Sequence, residues 1–425
     1  MRVKQLSLVN VCMALLLMFA IPVLSNAYAI VDNAEQLPKK KLTLNVALLY
    51  SARGHRGFFR HFKKEFEAKH PDITLVFTGL LDAEYKQAVM PWLMSGQIDV
   101  LYWQAGERLN AVAKNNLILP IDELWQKEQF DTIFPKNIKQ AVSHNDKIYA
   151  LPYAYYTWGL FYNKALLSDL GLEPPIDWPA LLSFCQAVRQ EGLVPIMIGS
   201  QDPWLPAAWF DYIDLRLNGL AFHQELLAGK VSFTDERVKN VFVHWKAMIE
   251  NDCFISTHEH LSWRNLLPPL FRKMAAMTLL GNFLDNNTPP EFQDDIGYQA
   301  FPMINKEIAR YEDVPLDVFV ISQRSKNIPA AKKFLKFMSR ADIQSTIANT
   351  IGQSSPHLKA TNSNYFSKKN KSILLGAEGL AQYFDRDINQ HMVTESLAIF
   401  KTFLTNPNIE RTTSQLEKLR LRTAH

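Results

Sequence analysis

The chain has 425 residues, 48% of them hydrophobic and 21% charged, with a formal net charge of +4 and three cysteines. Roughly 100 to 200 residues per domain makes this two or three compact units, and the apolar content excludes a mainly disordered chain. So balanced a charge lacks the basic footprint of a nucleic-acid binder, and the cysteines are too few for a disulfide framework.

Arg2 and Lys4 precede an apolar run from Leu6 to Leu24, and Ala27-Tyr28-Ala29 puts small residues at the two positions a signal peptidase reads. Residues 1–29 are therefore expected to be a cleaved export signal, with an uncleaved anchor as the alternative. Cys12 lacks the small residues that precede a lipoprotein cysteine, so export to the periplasm in soluble form is expected.

Leu42 to Tyr50 reads as a strand buried on both faces. Ser51 to Gly57 reads as a loop, after which Phe58, Phe59, Phe62 and Phe66 share a helix face that Pro71 stops. Ile73 to Phe77 is a strand, Tyr85, Ala88, Val89, Trp92 and Leu93 stand at helical spacing, and Asp99 to Trp103 is another strand. This alternation is the signature of a doubly wound α/β lobe, where ligands meet the carboxyl ends of strands. Ser51 to Arg56 and Trp103 to Arg108 are thus candidate site loops.

Between Lys147 and Leu167 the pattern is densest. His144-Asn145-Asp146 is a turn, Ile148 to Leu151 a short buried strand that Pro152 is expected to close, and Tyr153, Tyr155, Tyr156 and Trp158 precede a second strand ending at Asn163. Aromatics crowded after a strand suit the wall of a cleft. Asp177 is an expected N-cap, with Pro179 in the first turn and Gly192 at the end. Leu205 to Ile213 forms a helix stripe, Thr234 caps another from Val238 to Ile249, and Ala275 to Leu280 is a strand running into Gly281-Asn282-Phe283. Asp295 to Phe301 and Val318 to Ile321 return to strands, Asn327 caps a helix, and Ser372 to Leu404 reads as helical with a frayed basic end. Cys185 lies on an apolar helix face and Cys253 after a helix; two buried thiols are the plain reading, since spacing does not reveal a bridge.

The run K-I-Y-A-L-P-Y from Lys147, then L-F-Y-N-K-A-L from Leu160, Gly171-Leu172, Pro174-Pro175 and D-W-P-A-L-L from Asp177 resemble the family 1 extracellular solute-binding proteins, the sugar-binding components of bacterial ABC importers. Weaker agreements in the same order include I-D-V from Ile98, L-I-L-P-I-D from Leu117, F-T-D from Phe233, K-M-A-A-M from Lys273 and S-K-N from Ser325, so the likeness spans nearly the whole mature chain. It implies an α/β chain with a two-lobed, type II-like periplasmic-binding-protein fold, its ligand held between lobes joined by crossover segments. The first lobe would take residues 30–126 and 291–342, the second 127–290 and 343–425. It further implies a monomer without cofactor or metal that delivers a carbohydrate to ABC permease subunits.

Pyranose C–H faces stack on aromatic rings while polar side chains bind the hydroxyls. Trp103, Tyr155, Tyr156, Trp158, Trp204 and Trp263 lie in or beside loops and are candidates for stacking; each could equally cover its own lobe's core. The resemblance adds weight to Trp204 and Trp263 and supports Asn282 and Phe283. Asp317, before a strand, can reach a hydroxyl, although an exposed acid there is the commoner reading. Arg53, His55 and Arg56 depart from the family's small polar loop, and guanidinium groups there would favour an acidic sugar. A solvated basic loop is the plainer reading. His258-Glu259-His260 offers two zinc-type ligands but no third, and no hydrolase, P-loop or Rossmann motif is present. A binding protein reporting to a membrane sensor, or an exported carbohydrate-active enzyme, are the competing readings.

Overall fold

The computed structural model describes residues 41–50, 55–361, 363 and 365–423, without the side chains of residues 55–58 and 83. The expected export signal and Arg53 lie outside the described residues. Among those described, no helix is long and apolar enough to cross a membrane.

Two apolar cores organise residues 41–423. The first surrounds a five-stranded sheet in the order Ile73–Leu80, Leu42–Leu49, Val100–Gln104, Leu316–Ile321, Leu151–Tyr155. The first three strands are parallel and Leu316–Ile321 runs antiparallel to both its neighbours. Helices cover it as the stripes require: Phe62 and Phe66 of His55–Lys69 meet Phe337 of Ile328–Met338 at ring separations of 6.2 and 5.5 Å. That first helix begins at His55, inside the expected loop. Asp99 is 3% exposed and accepts from the Asn45 N–H at 2.9 Å, the Ser325 hydroxyl at 2.6 Å and the Asn327 amide at 3.2 Å. Asn327 therefore spends its side chain on Asp99 and makes no cap hydrogen bond.

The second core surrounds four strands in the order Ile296–Gln299, Trp158–Asn163, Ala275–Gly281, Val194–Met197. Trp178–Gln190 is capped by Asp177, whose carboxylate accepts from the Ala180 N–H at 3.1 Å. Glu236–Glu250 is capped by Asp235, one residue beyond the expected Thr234. Its Phe242 and Trp245 meet Phe403 at 4.9 and 5.3 Å. Cys185 and Cys253 are joined in a disulfide with a Cα–Cα distance of 5.0 Å, which replaces the two free thiols expected.

Pro152 does not close a strand: Leu151–Tyr155 runs through it. The strand lies at the sheet edge, where a missing N–H breaks no ladder on the open side, and its pairing with Leu316–Ile321 shifts register between Asp317 and Val318.

The packing also moves the lobe boundaries. Phe130, Phe134, Ile138, Ile148, Tyr153 and Tyr155 belong to the first core, and Ile296, Tyr298 and Phe301 to the second. The chain thus crosses at residues 155–158 and 313–316, not at 126 and 291, and it stays in the first core past 342, through Ile343, Ile347 and Ile351, before Phe366 joins the second. Tyr311–Asp313 lies parallel to Gly379–Ala381 beside the second crossing, and the Val314 N–H continues the ladder to the Ala381 carbonyl at 2.9 Å. The long helix expected from Ser372 to Leu404 is broken by this strand into Ser367–Leu375, Phe384–Asp387 and Val393–Thr405, and the basic end forms a further helix, Ile409–Thr423.

Candidate functional site

Trp158–Asn163 and Ala275–Gly281 are antiparallel, so the start of one and the end of the other meet at the same edge of the sheet, next to the first crossing. Gly281 makes room there: a Cβ at this position would stand 2.4 Å from the Phe283 ring and 3.1 Å from that of Tyr156. Phe283 consequently becomes the hub of an aromatic cluster. Tyr156 lies 5.6 Å from it, Trp158 6.1 Å, Trp204 6.2 Å and Trp263 5.2 Å, all edge to face. Tyr383 stacks on Trp158 at 4.7 Å. Trp158 is only 2% exposed and forms the inner layer, whereas Tyr156, Trp204, Trp263 and Phe283 are half-buried. Edge-to-face packing fixes rings while leaving faces on which an apolar surface can stack.

Beside the rings, Asn282 is fully buried, and it and Thr157 exchange hydrogen bonds: the Thr157 N–H donates to its side-chain oxygen at 3.2 Å and its own N–H to the Thr157 carbonyl at 2.9 Å. The Asn282 amide nitrogen and the Trp158 indole N–H have no acceptor among the described residues. Both nitrogens are buried behind the half-buried rings, so the layer beneath the aromatic wall is left with two unpaired donors.

Opposite this wall stands a charged junction. The Arg386 guanidinium donates to the Tyr156 hydroxyl at 2.9 Å, to the Leu316 carbonyl at 3.1 Å and to the Asp317 carboxylate at 3.1 Å. Asp317 also accepts from the Tyr102 hydroxyl at 3.1 Å and the Gln353 amide at 3.2 Å. Arg108 of Glu107–Lys114 reaches across to Asp385 at 2.9 Å and Gln390 at 2.9 Å, and also holds Gln104. Burial pushes the Asp317 carboxyl above the usual range although Arg386 pulls against it. At Asp385 burial pushes the same way, but Arg108 prevails and the carboxyl is held low. Burial likewise pushes the Tyr156 phenol well up, keeping it a neutral hydroxyl.

Of the expected residues, the fold therefore brings Tyr156, Trp158, Trp204, Trp263, Asn282 and Phe283 together, with Asp317 across the junction from Tyr156. Tyr155 is in the first core at 3% exposure, its backbone paired with Ser354, and is not on a wall. Trp103 is half-buried against the first core, its indole donating to the Arg108 carbonyl at 2.9 Å. His55 and Arg56 occupy the first helical turn, with side chains outside the described set. His258 is buried with its Nδ1 2.9 Å from the Ser200 hydroxyl, and among the described residues no group of three or more His, Cys, Asp or Glu can hold a metal. Tyr383, Asp385 and Arg386 were not foreseen, because their segment reads as the middle of a helix. Two surface depressions of about 230 and 430 Å³, beside Gln299 and Lys369 on the second lobe, hold none of the expected site residues.

A family model described as bacterial extracellular solute-binding protein matches residues 55–345. An uncharacterized ABC transporter extracellular-binding protein of Pyrococcus horikoshii is 24% identical over 335 residues, 76% of this chain and 74% of the relative. The multiple sugar-binding protein of Streptococcus mutans is 22% identical over 211 residues, 46% of this chain and 48% of the relative. Among solved structures, the bacterial solute receptor AcbH, described as having an exclusive preference for β-D-galactopyranose, superposes with a TM-score of 0.81 at 23% identity over 90% of this chain and 99% of its own. A chitin oligosaccharide binding protein gives 0.79 at 16% identity, covering 89% and 98%.

Proposed function

Since the chain belongs to the bacterial extracellular solute-binding protein family, we propose that it is the periplasmic carbohydrate receptor of an ABC import system, closing its lobes on a mono- or oligosaccharide and delivering it as a monomer to the permease. The observation that carries this reading is the cluster of Tyr156, Trp204 and Trp263 around Phe283, half-buried rings held edge to face. Ring faces bind pyranose C–H surfaces. Asp317, Arg386 and Arg108 are positioned to meet hydroxyls from the other side. Each of these charges already has an opposite partner, which favours a neutral sugar over an acidic one. Binding free energy then selects the closed state that the permease reads.

A thermal-shift screen of the mature chain against neutral and acidic mono- and oligosaccharides, with amino acids and polyamines as controls, tests this. A sugar at a hundredfold excess over its dissociation constant contributes about 2.7 kcal/mol and raises the midpoint. A shift with sugars that falls by about half in each of Trp204→Ala and Trp263→Ala is the expected result. A shift with the controls alone would overturn the carbohydrate assignment.

A further inference from the structure

Beneath the second crossing, Ala207–Leu217 packs against Tyr311–Asp313 and the next helix, Gly219–Leu227, against its partner strand Gly379–Ala381. Asp211, Asp214, His223 and Asp313 are all fully buried there, with half-buried Asp387 at their edge. His223 Nδ1 is 2.8 Å from Asp214 and its Nε2 3.7 Å from Asp211. Asp211 accepts from the Phe384 N–H at 2.6 Å and Asp387 from the Gln382 N–H at 2.8 Å. Four atoms, Asp211 Oδ1, His223 Nε2 and both carboxylate oxygens of Asp313, have no hydrogen-bond partner among the described residues. Orphaned buried polar atoms call for an explanation. An ionised pair of oxygens on Asp313 with no donor would be costly enough that a proton is the natural occupant.

The surrounding charges add to the demand. Glu312, on the same strand as Asp313, takes Arg216 at 2.8 Å, and Arg310 lies 3.4 Å from the same Glu312 oxygen. Arg386 is committed to Asp317. Glu107 faces Asp387 from the first lobe, and the phenols of Tyr212 and Tyr383 face the cluster but remain neutral. His223 lies among the four aspartates, with Arg386 acting on Asp387, Arg216 on Asp313 and Arg237 on Asp214 from the cluster's edges.

We propose that Asp211, Asp214, His223, Asp313 and Asp387 form a proton-binding site that couples external pH to the clasp between the lobes. The coupling has a structural route. Asp387 shares the short helix Phe384–Asp387 with Arg386, which holds Asp317, and with Asp385, which holds Arg108. It also abuts the first lobe, because a Cβ on Gly106 would stand 2.4 Å from its carboxylate. Deprotonation places like charges on Asp313 and Asp387 and pushes this helix away from the strand below. Protonation lets the helix settle and the clasp form.

The shifts agree in direction. Burial pushes the Asp313 carboxyl up to about 7 against the pull of His223, with Asp387 and Glu312 adding to the rise. Burial brings Asp387 to about 6 and pushes Asp211 well up, and the His223 imidazole, which burial pulls down, is raised on balance by Asp214. Groups with raised folded-state pKa values stabilise the fold below their ordinary pKa and lose that contribution as pH climbs through the folded value. The cluster therefore favours the clasped, folded chain at mildly acidic pH and loses hold across about pH 6 to 7.

The test compares the parent with Asp313→Asn, both without ligand, between about pH 5.5 and 8.5, reading the thermal midpoint and the radius of gyration by X-ray scattering; it is thus independent of the sugar assignment. The midpoint of the variant relative to the parent is expected to rise with pH by about 3 °C or more, and a pH-dependent expansion of the parent is expected to be absent from the variant. Parallel midpoint profiles overturn the proton site, and equal scattering changes in both chains overturn the coupling. If Asp313→Asn does not fold, Asp387→Asn is read by the same two criteria.

Discussion

The two sides of the interlobe junction are built on opposite principles. The second lobe presents rings held edge to face around Phe283, with two buried donors behind them that have no acceptor among the described residues. The first lobe presents charges, and these are already matched: Asp317 by Arg386, Arg108 by Asp385. A partnered buried charge supplies geometry and little net affinity, whereas an unstacked ring face gains from a ligand. Recognition should therefore be lost from the aromatic side, and folding from the charged side.

The sharpest way to break that contrast is Arg386→Ala. It leaves Asp317 buried without its counter-charge and is expected to cost about 3–5 kcal/mol in urea unfolding at neutral pH. Adding Asp317→Asn should restore part of the loss, because no naked carboxylate then remains. A cost below about 1 kcal/mol would mean that the junction is solvated.

Next in size is the bridge that distinguishes the second lobe. Cys185 and Cys253 are 68 residues apart, and the chain-entropy model assigns such a loop about 4 kcal/mol. The Cys185→Ser, Cys253→Ser variant should lower the unfolding midpoint while sugar binding persists, since neither residue is near the ring cluster. Loss of binding by a chain that remains folded would make the bridge part of the site.

How much of this could be read from residues alone follows the same division. The ring wall was legible because Trp158 and Phe283 adjoin strand ends, where apolar alternation and turn residues give way to loops. The parallel half of the first sheet was legible from continuous apolar runs separated by a helical stripe that Pro71 stops, although the loop expected up to Gly57 is already helical from His55. Pro152 misled because edge position is a property of the sheet, not of the strand. Asn327 misled because its amide serves Asp99, 228 residues away. The charged junction was hidden for a like reason: Arg386 meets Asp317 across 69 residues and Arg108 meets Asp385 across 277. Its segment also turns at Tyr383 with φ of 87°, a left-handed conformation that local propensity would not assign to a tyrosine.

Trp204→Ala and Trp263→Ala address the aromatic side. Each is expected to weaken sugar binding about tenfold, the loss of one stacked ring, with the unfolding midpoint nearly unchanged because both side chains are half-buried. Isothermal titration with a sugar identified in the screen reads this directly. Unchanged affinity in both variants would remove the stacking role and leave the cluster as a cover for the second core.

The smallest effect is expected from Arg53→Ala combined with Arg56→Ala. The junction charges are internally balanced, so any preference for an acidic sugar would have to come from outside them, and the basic stretch Arg53 to Arg56, whose last two residues open the first helix, is the candidate. A neutral ligand offers these guanidinium groups no charge to attract, so a neutral sugar should bind the double variant within about twofold of the parent. A uronic or sialic-type sugar should lose several-fold, more at low salt than at high. Equal affinities for both sugar classes, before and after substitution, would confine recognition to the ring wall.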